Sequence, residues 1–125
     1  MLDTSVAIFF RDGDGVIAGK IAALDGPIIL SIISRVELEG GVYRDPALAS
    51  LRRPRLDAIL ATFPVVAFDD IAADAYRTIL EAAGYSRRKV ADRMIAAQAL
   101  VHRATLVTTN ADDFRDVPGL DLLAW

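Results

Sequence analysis

The sequence predicts an α/β fold with a mainly parallel sheet, and three observations predict it. Short β-branched runs alternate with longer stretches of helical periodicity, which is the rhythm of βα units. The 125 residues match one domain of ordinary size, enough for a single sizeable core and too few for two. With 54% apolar and 25% charged residues, the balance is globular rather than disordered or fibrous.

Taken in order, the elements begin abruptly. Only Met1 and Leu2 precede Asp3, and the next residues, "TSVAIFF", read as helix. The first strand is therefore a stub that the sheet tolerates, or the translation start is set a few residues late. In "GVIAGKIAAL" apolar side chains recur at Val16, Ile17, Ile21 and Leu24, a helical spacing. "PIILSI" (Pro27 to Ile32) and "FPVVAF" (Phe63 to Phe68) read as strands. Between them "DPALASLRRPRLDAILATF" is helical on both sides of Pro54, whose missing N–H should kink or divide it. Helices from about Asp70 to Ala83 and from about Val90 to Arg103 follow. "ATLVTT" (Ala104 to Thr109) and "LDLLAW" (Leu120 to Trp125) complete the strands, with no repeat, linker or low-complexity segment.

Composition narrows the function classes. No cysteine is present, which excludes disulfides and thiolate zinc sites and suits a reducing cytoplasm. No run approaches the roughly 18 apolar residues of a membrane span, and "MLDTSV" does not look like a secretory leader. The expectation is a cytoplasmic protein without a membrane. A net charge of -3 does not advertise nucleic-acid binding. The positive charges nevertheless form two local groups, Arg52, Arg53 and Arg55 in "LRRPR" and Arg87, Arg88 and Lys89 in "SRRK". Each group suits phosphates, or simply a solvated helix face. His102 reads as a helix-end residue, and Trp125 as a terminal packing residue.

Four acids carry the chemistry, although each has an innocent explanation. Asp3 can cap the helix that follows it. Ser34 and Glu37 in "SRVE" have the spacing of a capping box. Asp92 sits in a first helical turn, where a negative charge meets the helix dipole. Asn110 can cap a short turn that contains Asp113. In a parallel sheet, however, helix N-termini lie at the edge where strands end. Asp3 and Asp113 follow strands, and Glu37 and Asp92 are placed in first helical turns, so all four face one edge.

Such a gathering needs a counter-charge. Two unit charges about 4 Å apart repel by about 4 kcal/mol at an effective dielectric near 20. Their pKa values must rise or a cation must enter. With oxygen ligands only and one distant histidine, Mg2+ or Mn2+ is favoured over zinc.

These residues carry a resemblance. "LDTS" with Asp3, "ISRVELEGG" with Glu37, "ADRMIAAQAL" with Asp92 and "LVTTNADDF" with its Thr-x-Asn-x-x-Asp-Phe spacing resemble the ordered signatures of PIN-domain ribonucleases. The similarity is closest to VapC-type toxins of toxin–antitoxin pairs and spans nearly the entire chain. It implies a three-layer α/β/α domain over residues 1–125, with Asp3, Glu37, Asp92 and Asp113 as the acidic, metal-holding site. Thr4, Ser5, Thr108 and Asn110 become polar supports, while Asp112 matches no motif position. The short stretch before Asp3 departs from the family, whose first strand usually carries several apolar residues there.

The implied activity is metal-dependent endonucleolytic cleavage of RNA, leaving 5′-phosphate and 3′-hydroxyl ends. Arg52, Arg53, Arg55, Arg87, Arg88 and Lys89 are the candidates for guiding the RNA backbone. The implied partners are a VapB-type antitoxin, operator DNA through that antitoxin, and a second copy of the chain. Two rivals stay open. An inactive PIN scaffold would bind protein or nucleic acid without cutting. A phosphoacceptor domain would need an Asp ending a central strand and a lysine near the site, and the only lysines, Lys20 and Lys89, do not follow strands.

Overall fold

In the computed structural model, which describes residues 1–125, the sheet is centred on Leu2. This residue forms parallel bridges to Leu30 on one side and Val107 on the other. The Leu2 amide donates to the Ile29 carbonyl at 3.1 Å, and the Asp3 amide donates to the Val107 carbonyl at 2.9 Å. The Val107 amide returns a bond to the Met1 carbonyl at 2.9 Å. The rows therefore run β2 (Val65–Val66), β1 (Leu30–Ser31), Leu2, β3 (Leu106–Thr108) and β4 (Leu122–Ala124), all parallel. A stub suffices because a neighbour holds it on each edge. The Met1 ammonium adds a 2.8 Å bond to the Thr105 carbonyl.

Alternation along these short rows divides the core in two, because successive strand residues face opposite sides. Leu2, Leu30 and Val107 join one buried cluster with residues of α1 (Thr4–Arg11), α2 (Gly15–Ala22), α3 (Ile32–Tyr43) and α4 (Ala49–Thr62). Met1 and Leu106 join another with Ile79 of α5 (Asp70–Ala83) and Ile95 of α6 (Val90–Val101). Helices thus cover both faces, giving the expected three layers. The small residues Ala96, Ala97 and Ala99 are fully buried on α6 and let its backbone approach the sheet.

The strands are shorter than their apolar runs because helices begin early. Ser31 ends β1 and already caps α3, its hydroxyl accepting from the Ile33 amide at 2.9 Å. Pro54 does not divide its helix: α4 is continuous from Ala49 to Thr62. The amide that Pro54 lacks would have bonded the Ser50 carbonyl. Both residues are exposed, so water can satisfy that carbonyl. Buried Gln98 ties the layers together by donating to the Val66 carbonyl at 3.0 Å and the Ala67 carbonyl at 2.9 Å. It also accepts a bond from the Ser31 hydroxyl.

Candidate functional site

Asp3 leaves the Leu2 row at the edge where the parallel strands end, and it is only 4% exposed. Its carboxylate accepts three bonds, each 2.8 Å long: the Thr4 amide on Oδ1, and the Ser5 and Thr108 hydroxyls on Oδ2. The Asn110 amide donates to the Thr108 hydroxyl at 2.9 Å, so that hydroxyl's proton is committed to Asp3. Asp3 is both the cap of α1 and a fixed acid.

Glu37 arrives differently from its expected route. The Ser34–Glu37 capping box does not form, because α3 starts at Ile32 under Ser31 and Glu37 lies in the second turn. Its Oε1 lies 2.8 Å from the Thr4 hydroxyl, which is also 2.9 Å from the Ser34 hydroxyl. A hydroxyl has one proton, so Thr4 donates to the carboxylate and accepts from Ser34. Asp92 occupies the first turn of α6 as expected, and Asp113 closes the 3-10 turn Ala111–Asp113 after β3. The Asp113 amide bonds the Asn110 carbonyl at 3.0 Å, while the Asn110 side chain makes no cap bond and is exposed.

Electrostatics register the gathering. The Asp92 carboxyl is pushed up to about 6, first by burial and then by the charges of Asp3, Asp113 and Glu37, with Lys89 opposing. Acids drawn from three other segments therefore act on Asp92 at one sheet edge. Asp112 stays outside this cluster, exposed and paired with Arg115 at 3.1 Å.

The donors suit a hard divalent ion in kind and in charge, since all are carboxylates and the only histidine, His102, caps the far end of α6. They are not drawn into a closed cage: no three of them lie at the mutual spacing of one ion's ligand set. Asp3 is held by its three donors and Glu37 by Thr4.

The basic groups separate. Arg53 is locked between Glu39 and Asp57, and Arg55 donates to the Arg11 carbonyl at 3.4 Å. Lys89 pairs with Asp116 at 3.1 Å. Arg87 and Arg88 lie exposed in the 3-10 turn that leads into α6 and Asp92. Arg52 donates to the Gly41 carbonyl at 2.9 Å and lines a cleft beside Glu37. The lysine a phosphoacceptor needs is not offered by Lys20, which sits over the Trp125 ring at 5.6 Å.

Two residues escaped the sequence reading. Ser34 was legible only as a cap, whereas it supports Thr4 from inside α3. Arg11, the last residue of α1, received no role from the sequence and is only 4% exposed. Its signal was spacing: Arg11 follows Thr4 by seven residues, two helical turns along the same face.

A PIN-domain family model matches residues 1–120, and the chain belongs to the PIN-domain family. It is 29% identical over 131 residues to Ribonuclease VapC2 of Rickettsia felis, covering all of this chain and 96% of that one. Among solved structures it resembles VapBC2 from Rickettsia felis bound to a DNA fragment from their promoter, at 27% identity and a TM-score of 0.85, covering 100% of this chain and 97% of that one. It also shares the fold of the DNA-bound VapBC from Salmonella typhimurium, at 24% identity and a TM-score of 0.86, covering 100% of this chain and 96% of that one. No helix is long and apolar enough to cross a membrane.

Proposed function

We propose that this PIN domain is a metal-dependent endoribonuclease, the toxin of a VapBC-type pair. The observation that carries the reading is the convergence of Asp3, Glu37, Asp92 and Asp113 at one edge of a parallel sheet, within a family that includes a named ribonuclease. Asp3 and Asp92 would hold the metal, Glu37 would be a ligand or align the attacking water, and Asp113 would complete a second or weaker metal position. The ion, Mg2+ or Mn2+, supplies charge neutralisation at the scissile phosphate and a water of lowered pKa.

The chain's own residues prepare the reaction. Thr4, Ser5 and Thr108 fix Asp3 in one orientation, so little reorganisation is needed when RNA arrives. Thr4 also restrains Glu37 at the lip of the site, where it would align the attacking water or join the ligand set. Exposed Arg87 and Arg88 meet the RNA backbone on the Asp92 side.

A VapB-type antitoxin supports the same reading, since the structural relatives are VapBC complexes, some bound to DNA. An arginine from such a partner would compete with the metal for the carboxylates through charge-assisted bonds. Operator DNA is reached through the antitoxin. The chain pairs with a second copy of itself and works in the cytoplasm.

The test is RNA cleavage by purified protein with Mn2+ or Mg2+. Cleavage should vanish in chelator and in Asp3→Asn or Asp92→Asn, with each variant still folded by circular dichroism. Cutting at the parent rate by either variant would overturn the site assignment. A folded parent that binds RNA but never cuts it would favour an inactive scaffold.

A further inference from the structure

A cleft of about 660 Å3 opens between α1, the end of α3 and the start of α4, and it continues directly from the acidic site because Thr4 and Glu37 line it. Its other walls carry the opposite sign. Arg11, Arg44 and Arg52 line it against the carboxylates of Asp12 and Glu37. Arg44 is exposed at the C-cap of α3, and Arg52 is half-buried.

Arg11 is the informative residue. It is 4% exposed; its Nε donates to Asp12 at 3.0 Å, and its buried Nη1 has no hydrogen-bond partner. A guanidinium is taken out of water at a cost unless its donors meet acceptors. Asp12, itself 44% exposed at its side chain, serves Arg11 at 3.0 Å and Arg52 at 3.9 Å. One half-solvated carboxylate thus faces two guanidiniums, and the three arginines that line the cleft outnumber the two carboxylates there. Gly40 and Gly41 form its floor, and a Cβ on Gly40 would meet nothing within 4 Å, so a ligand backbone can approach there.

We propose that this cleft is a phosphate subsite, in which Arg11, Arg44 and Arg52 seat a backbone phosphate of single-stranded RNA next to the bond being cut. Planar guanidinium forks match phosphate oxygens in pairs, which suits positioning rather than diffuse attraction. The subsite offsets the repulsion that the adjoining acids exert on the substrate, and it enters the strand from the Glu37 side. This inference rests on the ribonuclease reading but concerns binding, so the two fail separately.

The experiment measures binding of a fluorescent single-stranded oligoribonucleotide in chelator, where no cutting occurs, across a range of salt. Arg44→Gln and Arg52→Gln should each weaken affinity by about tenfold. Each should also flatten the logarithmic salt slope by about 0.7. Arg44 is exposed, so its variant keeps the test valid if Arg52→Gln loses stability. Arg77→Gln, on the exposed face of α5 between Asp74 and Glu81, removes the same charge elsewhere and should bind like the parent.

Parent-like affinity in both cleft variants, equal losses in Arg77→Gln, or no RNA binding by the parent would overturn the subsite. Inorganic phosphate that raises the parent's thermal midpoint while the cleft variants bind RNA normally would assign a free anion instead, and so overturn it too. Site-dependent binding by a parent that never cuts with Mn2+ would keep the subsite and remove the ribonuclease reading.

Discussion

The Thr108 hydroxyl donates to the Asp3 carboxylate at 2.8 Å, joining residues 105 positions apart. Both are almost fully buried, and they sit on neighbouring parallel rows. The bond couples the fold to the chemistry, because β3 must pair with the Leu2 row before Asp3 acquires its orientation. Thr108→Val keeps the shape and removes the donor. It also leaves the Asn110 amide without its acceptor, so it is expected to slow RNA cleavage by about 10- to 100-fold and to lower stability by about 1 to 3 kcal/mol, which initial rates measured well below the variant's thermal midpoint, alongside calorimetric unfolding, check. A rate equal to the parent's would show that Asp3 does not depend on this support.

Gathered acids should also mark the metal-free protein's stability. The folded Asp92 carboxyl, raised to about 6 from 3.8, binds protons more tightly than the unfolded chain does. Between those values the native state therefore holds more protons, and stability falls as pH rises through the window. Asp92 is half-buried, so the loss is discounted for solvent screening to about 1 kcal/mol. Urea titrations in chelator from pH 4 to pH 7 should show this decline, and Asp92→Asn should remove it. A decline of equal size in the variant would place its origin elsewhere.

Gln98 is expected to be a folding residue rather than a site residue. It is fully buried and bonds the Val66 and Ala67 carbonyls and the Ser31 hydroxyl. Gln98→Leu leaves those groups without partners and should cost about 3 kcal/mol, read from urea unfolding. A loss below about 0.5 kcal/mol would mean that water replaces the amide.

Gly41 of α3 leaves room for the guanidinium of Arg11 from α1. A Cβ placed there would lie 2.8 Å from Arg11 Nη1, and Arg11 is confined by burial. Gly41→Ala should therefore lower stability by about 1 to 3 kcal/mol and displace the guanidinium. Unchanged unfolding would show that the arginine moves aside freely.

Much of this was legible in the sequence. The boundaries Asp70–Ala83 of α5 and the start of α6 at Val90 came directly from periodicity. The parallel sheet followed from the alternation of elements, and family membership followed from motif order. The illegible parts were matters of register and of contact at long range. Ser34-x-x-Glu37 carries a true capping pattern, yet Ser31 starts the helix three residues earlier, because its hydroxyl meets the Ile33 amide and its strand pairing ends there. Arg53 and Arg52 read as equals in one basic run. Their difference depends on helical phase, which turns Arg53 to Glu39 and Asp57 and Arg52 to Gly41 and the cleft. The burial of Arg11 depends on α3 crossing α1, which local sequence does not encode.

The central claim is that Asp3, Glu37, Asp92 and Asp113 draw together around a hard cation. Crystals grown with Mn2+ test it most directly, through the ion's anomalous scattering. A strong peak within about 2.5 Å of carboxylate oxygens from both Asp3 and Asp92 is the expected result. No peak in that cluster at saturating Mn2+, in a crystal whose site is open to solvent, would contradict it.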